Sequence, residues 1–319
     1  MFLTIILLLL GLTILVGGAE ILVRGSSSIS KKAGIPPIVI GLTIVAFGTS
    51  APELIVNIFS AIKGTTDIAI GNIIGSNIAN ILLILGISAM ISGLAIQKNT
   101  TWKEIPFATL AMLILFVMVN DKILDNDSAN SLTRTDGLTL LGFFAIFMYY
   151  TIELVRRNPY KEMDGIKTYS YSISILLTIG GLIFLFLGGQ LLVNQAVILA
   201  RLAGLSEIMI GLTIVAVGTS LPELATSVVA AIRGQSDIAV GNIVGSNIFN
   251  ILWVLGITSI IRPLPVGSSA EIDILVCLGA TIVLFFAMFI GERHRLKRWQ
   301  GALFVLSYIA YIIYVIQRG

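Results

Sequence analysis

Apolar residues run along this chain in long stretches separated by short polar segments, and each stretch is long enough to cross a bilayer as a helix. The first half contains five stretches, near residues 3–23, 38–62, 68–92, 104–120 and 137–155. The second half contains five more, near residues 172–200, 208–232, 238–261, 272–290 and 299–316. The pattern predicts an all-α polytopic membrane protein with ten transmembrane helices.

The two halves of the chain are copies of one unit. Residues 40–86 align with residues 210–256 at a constant offset of 170 without a gap, and 31 of 47 positions are identical. Because each half holds an odd number of spans, the second copy should enter the membrane in the opposite orientation, as in secondary transporters built from inverted repeats. We expect residues 1–160 to form the first five-helix repeat and residues 161–319 the second, inverted five-helix repeat.

The distribution of basic residues predicts which ends of the ten spans face the cytoplasm. With ten spans, 14 of the 20 Lys and Arg residues fall on one side. Cytoplasmic loops are enriched in Lys and Arg, so that side should be cytoplasmic. The loop of residues 156–167, which joins the halves, then lies inside, and both termini face outside. We expect a multi-pass protein of the cell membrane.

The composition excludes several classes of protein. The chain is 56% hydrophobic and 12% charged, which is far from an ordinary soluble enzyme. The chain has no basic stretch with interleaved aromatic residues, so the sequence does not predict a nucleic-acid partner. One cysteine, Cys277, and one histidine, His294, make zinc chemistry and Cys/His catalysis improbable. A hydrolase using Ser50 or Ser220 would lack a base, and a passive channel fits a duplicated, broken-helix design less well.

Each repeat carries a glutamate inside an apolar span. Glu53 ends the motif GTSAPE, and Glu223 ends the motif GTSLPE in the second half. Placing a carboxylate within a membrane span costs free energy, so such a residue usually has a function. We expect these two, of the 17 acidic residues, to be the ones that lie deep in the spans.

A proline in the same motif predicts a broken helix. Pro52 cannot donate a hydrogen bond to the carbonyl of Gly48, so the helix should open around residues 46–49 and expose carbonyl oxygens. Glu53 follows Ser50 by three residues and Thr49 by four, so the three side chains should face the same side.

The following span adds amide and hydroxyl oxygens. Asn72, Ser76 and Asn80 are spaced four residues apart and form one stripe. Gly71 and Gly75 have the spacing of close helix packing, which would bring the stripe against the broken helix. The second half repeats the motif as GNIVGSNIFN.

Every candidate ligand in these motifs is an oxygen, which selects hard cations. Ca²⁺ fits best, because it accepts six to eight oxygen ligands in flexible geometry and the carboxylates of Glu53 and Glu223 would balance its charge. Na⁺ also takes oxygen ligands. A site that holds either ion in turn is the core of an antiporter.

On GTSAPE with GSNIAN and GTSLPE with GSNIFN, the sequence resembles the calcium/cation antiporter superfamily, specifically its sodium/calcium exchanger branch of the prokaryotic type without a large cytoplasmic loop. The resemblance implies Ca²⁺ ligation by the carboxylates of Glu53 and Glu223 and the backbone oxygens of Thr49 and Thr219. It implies that the first and sixth helices slide against the rest. It also implies Na⁺ sites at Ala46, Ser50, Ser76, Ala216, Ser220 and Ser246. Asn80 and Asn250 would line the middle of the site.

One position departs from the family pattern. Related archaeal exchangers carry Asp at the position of Asn250, whereas this chain has Asn at both 80 and 250 and so keeps two carboxylates. Two carboxylates would balance the charge of one Ca²⁺, whereas more than two Na⁺ would carry net positive charge. The sequence therefore predicts electrogenic exchange.

We therefore predict a secondary active transporter, not an enzyme, that exchanges Na⁺ for Ca²⁺ across the lipid bilayer by alternating access. No organic cofactor is expected, and a monomer is the expected oligomeric state. Proton/Ca²⁺ antiport through the same two glutamates is the alternative that the residues leave open.

Overall fold

The computed structural model describes residues 2–124, 129–157, 167–203 and 216–318. The helices of the first half are α1 (Phe2–Ala33), α2 (Pro37–Thr49), α3 (Ala51–Lys63), α4 (residues 66–92), α5 (Thr100–Met118), the short α6 (Asp121–Leu124) and α7 (Arg134–Arg157). Those of the second half are α8 (Tyr171–Leu202), α9 (Ala216–Thr219), α10 (Leu221–Ile232), α11 (Ser236–Ile261), α12 (Ser268–Ala287) and α13 (Arg298–Arg318).

The helical membrane architecture that the sequence predicts is confirmed. Among the described residues, 8 helices are long and apolar enough to span a membrane, and the pair α2 and α3, bent by 44° at its break, raises the number to 9. The predicted seventh span begins at residue 208, and its residues 208–215 lie outside the described residues. The boundary between the repeats, at residues 160 and 161, lies outside them too.

Two short antiparallel ribbons tie loops together. Strand β1 (Leu94–Ala95) pairs with β4 (Arg295–Leu296), and β2 (Ser131–Leu132) pairs with β3 (Leu264–Pro265). The ten-span threading assigns the first two loops to one side of the membrane and the other two to the opposite side. Each ribbon therefore joins loops that the sequence puts on the same side.

The duplication is visible in the element bounds. The α-helical part Thr66–Ile78 of α4 is followed by a π-helical part, Ala79–Ile84, and the α-helical part Ser236–Ile248 of α11 is followed by π-helical Phe249–Leu255. The helix starts differ by the same 170 residues as the sequence repeat. Equivalent local sequences thus fold into equivalent local structures.

The proline motif breaks the helix one residue later than predicted. The segment Ala46–Thr49 is helical, and the interruption lies at Ser50, with φ −82° and ψ 5°. Ser220 interrupts the second copy with φ −86° and ψ 5°. Each proline occupies the first turn of the following helix, where its missing N–H costs no intrahelical bond, so the break comes before it and not across residues 46–49.

Helices α1 and α8 pack as an antiparallel pair with very close backbones. A Cβ on Gly181 would lie 2.5 Å from the backbone nitrogen of Leu22, and one on Gly188 would lie 2.5 Å from that of Leu15. Further along the pair, the hydroxyls of Ser28 and Ser174 are hydrogen-bonded at 2.8 Å. Larger side chains at these glycines would separate the two helices.

Glycine packing at the asparagine stripe is seen in the second copy. A Cβ on Gly245 would lie 2.7 Å from the Cβ of Ala46, and Gly241 packs against Gly41, so α11 lies directly on α2. For Gly71 and Gly75, no described atom lies within 4 Å of the corresponding position. Their equivalent neighbours belong to residues 211–216, of which 211–215 lie outside the described residues, so the packing of this first pair stays a prediction.

Candidate cation site

Two glutamates are buried in the core just after the breaks of the two proline-containing helices. Glu53 is 0% exposed and Glu223 is 1% exposed. Each stands in the first turn of its helix, α3 or α10, where the positive end of the helix dipole favours a negative charge. Ser50, at the break before Glu53, donates to Oε1 of Glu223 at 3.2 Å, so the structure brings together two helix breaks that are 170 positions apart in the sequence.

Serine hydroxyls surround the carboxylates. Ser76 donates to Oε1 of Glu53 at 3.3 Å. Ser246 donates to Oε1 of Glu223 at 3.4 Å, and Ser50 donates to the same atom at 3.2 Å. The two stripes therefore face the glutamates, as the spacing predicts.

Ser50 contacts the glutamate of the other repeat, which the helical spacing does not predict. Thr49 also turns across the repeat boundary and donates to Oδ1 of Asn242 at 2.9 Å. These contacts add partners from the second repeat, and the expectation that Thr49, Ser50 and Glu53 face the same side stays a prediction.

Two asparagines accept hydrogen bonds from the threonine hydroxyls across the repeats. Thr219 donates to Oδ1 of Asn72 at 3.2 Å, which mirrors the contact of Thr49 with Asn242. Asn242 also donates to the backbone oxygen of Glu223 at 3.4 Å. The threonines therefore tie each broken helix to the asparagine stripe of the other repeat.

The freed carbonyl expected at Ala46 is already engaged. Its oxygen accepts from the backbone nitrogen of Ser50 at 3.0 Å and from the hydroxyl of Thr49 at 3.3 Å. In the second copy, the backbone nitrogen of Ser220 bonds Val217 instead, at 3.1 Å. The side chain of Ala216 lies outside the described part of the chain.

Four asparagines form a symmetric cluster between α4 and α11. Asn77 donates to the backbone oxygen of Asn247 at 3.3 Å, and Asn247 donates to that of Asn77 at 3.4 Å. Their Oδ1 atoms accept from Asn250 at 3.0 Å and from Asn80 at 2.9 Å, respectively. Since an amide nitrogen must donate and its oxygen must accept, these bonds fix the orientation of all four amides.

Several buried oxygens in this region have no donor within the described residues. A carboxylate or amide oxygen that is buried without a partner carries a desolvation cost of about 1–3 kcal/mol, which a cation offsets. Two of these oxygens are carboxylate atoms and two are amide atoms, in symmetric positions: Oε2 of Glu53 and Glu223, and Oδ1 of Asn80 and Asn250.

The donor set fits a hard cation. In the described ranges, no three His, Cys, Asp or Glu side chains gather in one place, so the charge of this site comes from Glu53 and Glu223. The other groups are neutral oxygens, which suit Na⁺ and Ca²⁺ better than transition metals.

Sequence reasoning missed the roles of Asn77 and Asn247. Both lie in the duplicated GSN motif, and their repetition was the available signal. It also missed Glu104, which is 1% exposed and accepts a hydrogen bond from Tyr150. Burial of an acid deep in the protein is therefore not confined to the two site glutamates.

Comparisons with known proteins show the family of this chain. A family model described as Sodium/calcium exchanger protein matches residues 3–153 and 173–317. The chain is 38% identical over 321 residues to the putative antiporter CaxA of Alkalimonas amylolytica, covering 98% of both chains. It is 30% identical over 346 residues to the sodium/calcium exchanger MaX1 of Methanosarcina acetivorans, covering 97% of both.

A solved structure of the sodium-calcium exchanger NCX_Mj, soaked with Na⁺, matches the fold. The TM-score is 0.83 at 33% sequence identity, with 98% of both chains covered. The chain is a helical membrane protein with two glutamates buried among neutral oxygen groups. It belongs to the sodium/calcium exchanger family.

Proposed function

We propose that this protein is a secondary active antiporter, not an enzyme, that exchanges Na⁺ for Ca²⁺ across the cell membrane by alternating access. The observation that carries the proposal is the pair of unpartnered carboxylate oxygens on Glu53 and Glu223, buried just after the breaks of the two proline-containing helices, with the unpartnered amide oxygens of Asn80 and Asn250 between α4 and α11. Hard cations take oxygen ligands of these kinds, and the pair of carboxylates balances one Ca²⁺. Family membership supports the same pair of transported ions.

In this proposal Ca²⁺ lies between the two glutamates and takes the backbone oxygens of Thr49 and Thr219. Na⁺ occupies positions beside it, and the carbonyl and hydroxyl ligands are Ala46, Ser50, Ser76, Ala216, Ser220 and Ser246. The hydrogen bonds of the serines to the glutamates support this, because a hydroxyl that now donates to a carboxylate can rotate and offer its lone pairs to a cation. Both ions are cargo, and the proposal requires no organic cofactor.

We propose that the fold consists of ten helices in two inverted repeats, residues 1–160 and 161–319. Antiparallel packing of α1 on α8 supports inversion, because these two helices occupy equivalent places in the repeat. The reciprocal bonds between Asn77 and Asn247 support it as well. The two ribbons, which join loops of equal predicted sidedness, support the threading with both termini outside.

Alternating access then requires one part of the protein to move against the site. The α1–α8 pair is a suitable moving unit, because its glycine contacts hold the two helices as one body. With two carboxylates in the site, exchange of one Ca²⁺ for more than two Na⁺ moves net charge. We expect a membrane potential to change the rate, and we take the monomer as the transporting unit.

The test uses purified protein in sealed proteoliposomes. An outward Na⁺ gradient should drive uptake of radioactive Ca²⁺, whereas equal K⁺ or proton gradients should not. Uptake driven by the proton gradient alone would replace this proposal with proton/Ca²⁺ antiport. A matched control is Glu104→Gln, which neutralises a buried glutamate outside the site and should leave Na⁺-driven uptake in place.

A further inference from the structure

A basic pocket lies at one end of the bundle, away from the cation site. Its volume is about 260 Å³, and we name it the mouth pocket. Three separate segments line it: residues 23–27 of α1, the residues just before α8, and the turn after α10. Its lining residues are Val23, Arg24, Ser27, Lys167, Tyr169, Arg233 and Gln235.

Three cations converge on the mouth pocket. Arg24 lies in the last third of α1, Lys167 precedes α8 and Arg233 follows α10, and the positive-inside pattern assigns all three to the cytoplasmic side. Glu20 is the acid beside them. It bonds Arg24 at 2.5 Å and Arg233 at 3.1 Å and is not itself part of the lining. Among the described residues at the pocket, this one carboxylate faces three basic side chains, so they carry an excess of positive charge.

The pocket also offers a buried donor that has no partner. Ser27 is 5% exposed, and its hydroxyl forms no hydrogen bond within the described residues. A hydroxyl that lines a pocket without a partner gains a hydrogen bond if an anion enters. Guanidinium groups add paired donors suited to the oxygens of a phosphate.

The position of the pocket is that of a lipid headgroup. The apolar run of α1 ends at Val23, which lines the pocket, and Arg24 follows it. Tyr169 lies at the same level, and aromatic side chains of this kind concentrate at the membrane interface. Basic pockets between transmembrane helices on the cytoplasmic side bind anionic headgroups.

We propose that the mouth pocket binds a phosphate group, and its place beside the apolar end of α1 favours the phosphate of an anionic membrane lipid over soluble phosphate. A phosphate held there contacts α1, the segment before α8 and the turn after α10. Such a contact joins the α1–α8 pair to the helix that carries Glu223, in addition to the existing link from Glu20 to Arg233.

The test measures binding without transport, so its result does not depend on the proposed ion exchange. The full chain is purified in detergent and titrated with phosphatidylglycerol, with phosphatidylcholine as the zwitterionic control, and bound lipid is counted by native mass spectrometry. The variant Ser27→Ala with Lys167→Gln removes two donors and leaves both ion pairs of Glu20 in place. We expect phosphatidylglycerol to bind this variant at least about tenfold more weakly.

The matched control is Lys98→Gln, which removes one exposed charge on the same predicted side, outside the pocket. It should bind phosphatidylglycerol as the unmodified protein does. Equal thermal unfolding of all proteins without lipid shows that they are folded. Inorganic phosphate that raises the unfolding temperature of the unmodified protein but not of the double variant would support the site with soluble phosphate as its ligand. Equal binding of phosphatidylglycerol to the double variant, or no binding of phosphatidylglycerol or phosphate to the unmodified protein, would overturn the proposal.

Discussion

Asn77 and Asn247 each donate a hydrogen bond to the other's backbone oxygen, at 3.3 and 3.4 Å, and they are equivalent residues of the two repeats. Their side-chain oxygens accept from Asn250 and Asn80. The second pair of amides is thereby held with its oxygens free. We expect the reciprocal pair to orient Asn80 and Asn250, the proposed ligands, and not to bind the cation itself, because its own side-chain oxygens already accept hydrogen bonds.

Replacing one member of this pair should weaken Ca²⁺ binding. Asn247→Ala removes the acceptor that holds the amide of Asn80, so the free oxygen of Asn80 loses its fixed direction. We expect KM for Ca²⁺ to rise about tenfold with a smaller change in kcat. Initial rates of Na⁺-driven Ca²⁺ uptake at varied Ca²⁺ measure both.

The control for this change is Asn120→Ala, which removes a buried asparagine that bonds the backbone oxygen of Phe116 at a helix end. It should leave KM for Ca²⁺ where it is. An unchanged KM in Asn247→Ala would show that Asn80 needs no positioning.

Neutralising either site glutamate should abolish Ca²⁺ transport. Glu53→Gln and Glu223→Gln each remove one of the two charges that balance Ca²⁺, and we expect Ca²⁺ affinity to fall by about a hundredfold or more. Isothermal titration of Ca²⁺ into the purified protein measures the binding directly. Substantial transport in both single variants would contradict the shared-ligand role.

Protons should compete with Ca²⁺ for the site. A protonated carboxyl group cannot ligate the cation as a carboxylate does, so acidification should raise KM for Ca²⁺ and lower the flux at a fixed Ca²⁺ concentration. The check is a series of Ca²⁺ titrations from neutral to acidic pH. Saturating Ca²⁺ should restore the rate, and a pH-independent KM would count against two buried carboxylates as ligands.

Replacing Ser50 or Ser220 should change the stability of the protein by different amounts, although the two serines are equivalent in sequence. The hydroxyl of Ser50 donates to Glu223 at 3.2 Å, whereas the buried hydroxyl of Ser220 has no partner in the described structure. Without Na⁺ or Ca²⁺, Ser50→Ala should lose about 1 kcal/mol and Ser220→Ala should be neutral. Thermal unfolding in ion-free buffer tests this, and equal losses would show that both hydroxyls are bonded.

Two neighbouring glycines of α8 offer a matched pair for the helix contact. A Cβ on Gly181 would lie 2.5 Å from the backbone of Leu22, whereas nothing among the described atoms lies within 4 Å of the same position on Gly180. Gly181→Ala should destabilise the protein by about 1–3 kcal/mol. Gly180→Ala should be neutral or stabilising by up to about 1 kcal/mol. Unfolding temperatures in the same detergent compare them, and equal effects would mean that the close contact is not maintained.

The local sequence was sufficient to predict the pieces of the site but not their partners. Pro52 predicts a break, and the break lies at Ser50, because a proline fits the first turn of the next helix. The helical spacing groups Ser50 with Glu53, and the structure adds a hydrogen bond from Ser50 to Glu223. Spacing rules apply within one continuous helix, so they cannot choose between carboxylates on either side of a break.

By itself, the sequence determined the membrane class, the duplication, the two glutamates and the preference for hard cations, because hydrophobic length, internal identity and ligand chemistry are local properties. Only the tertiary structure decided which residues of the two repeats bond each other: Ser50 with Glu223, Thr49 with Asn242, and Asn77 with Asn247. These contacts join residues far apart in the chain, and their geometry depends on how two bent helices and two glycine-lined helices pack against one another.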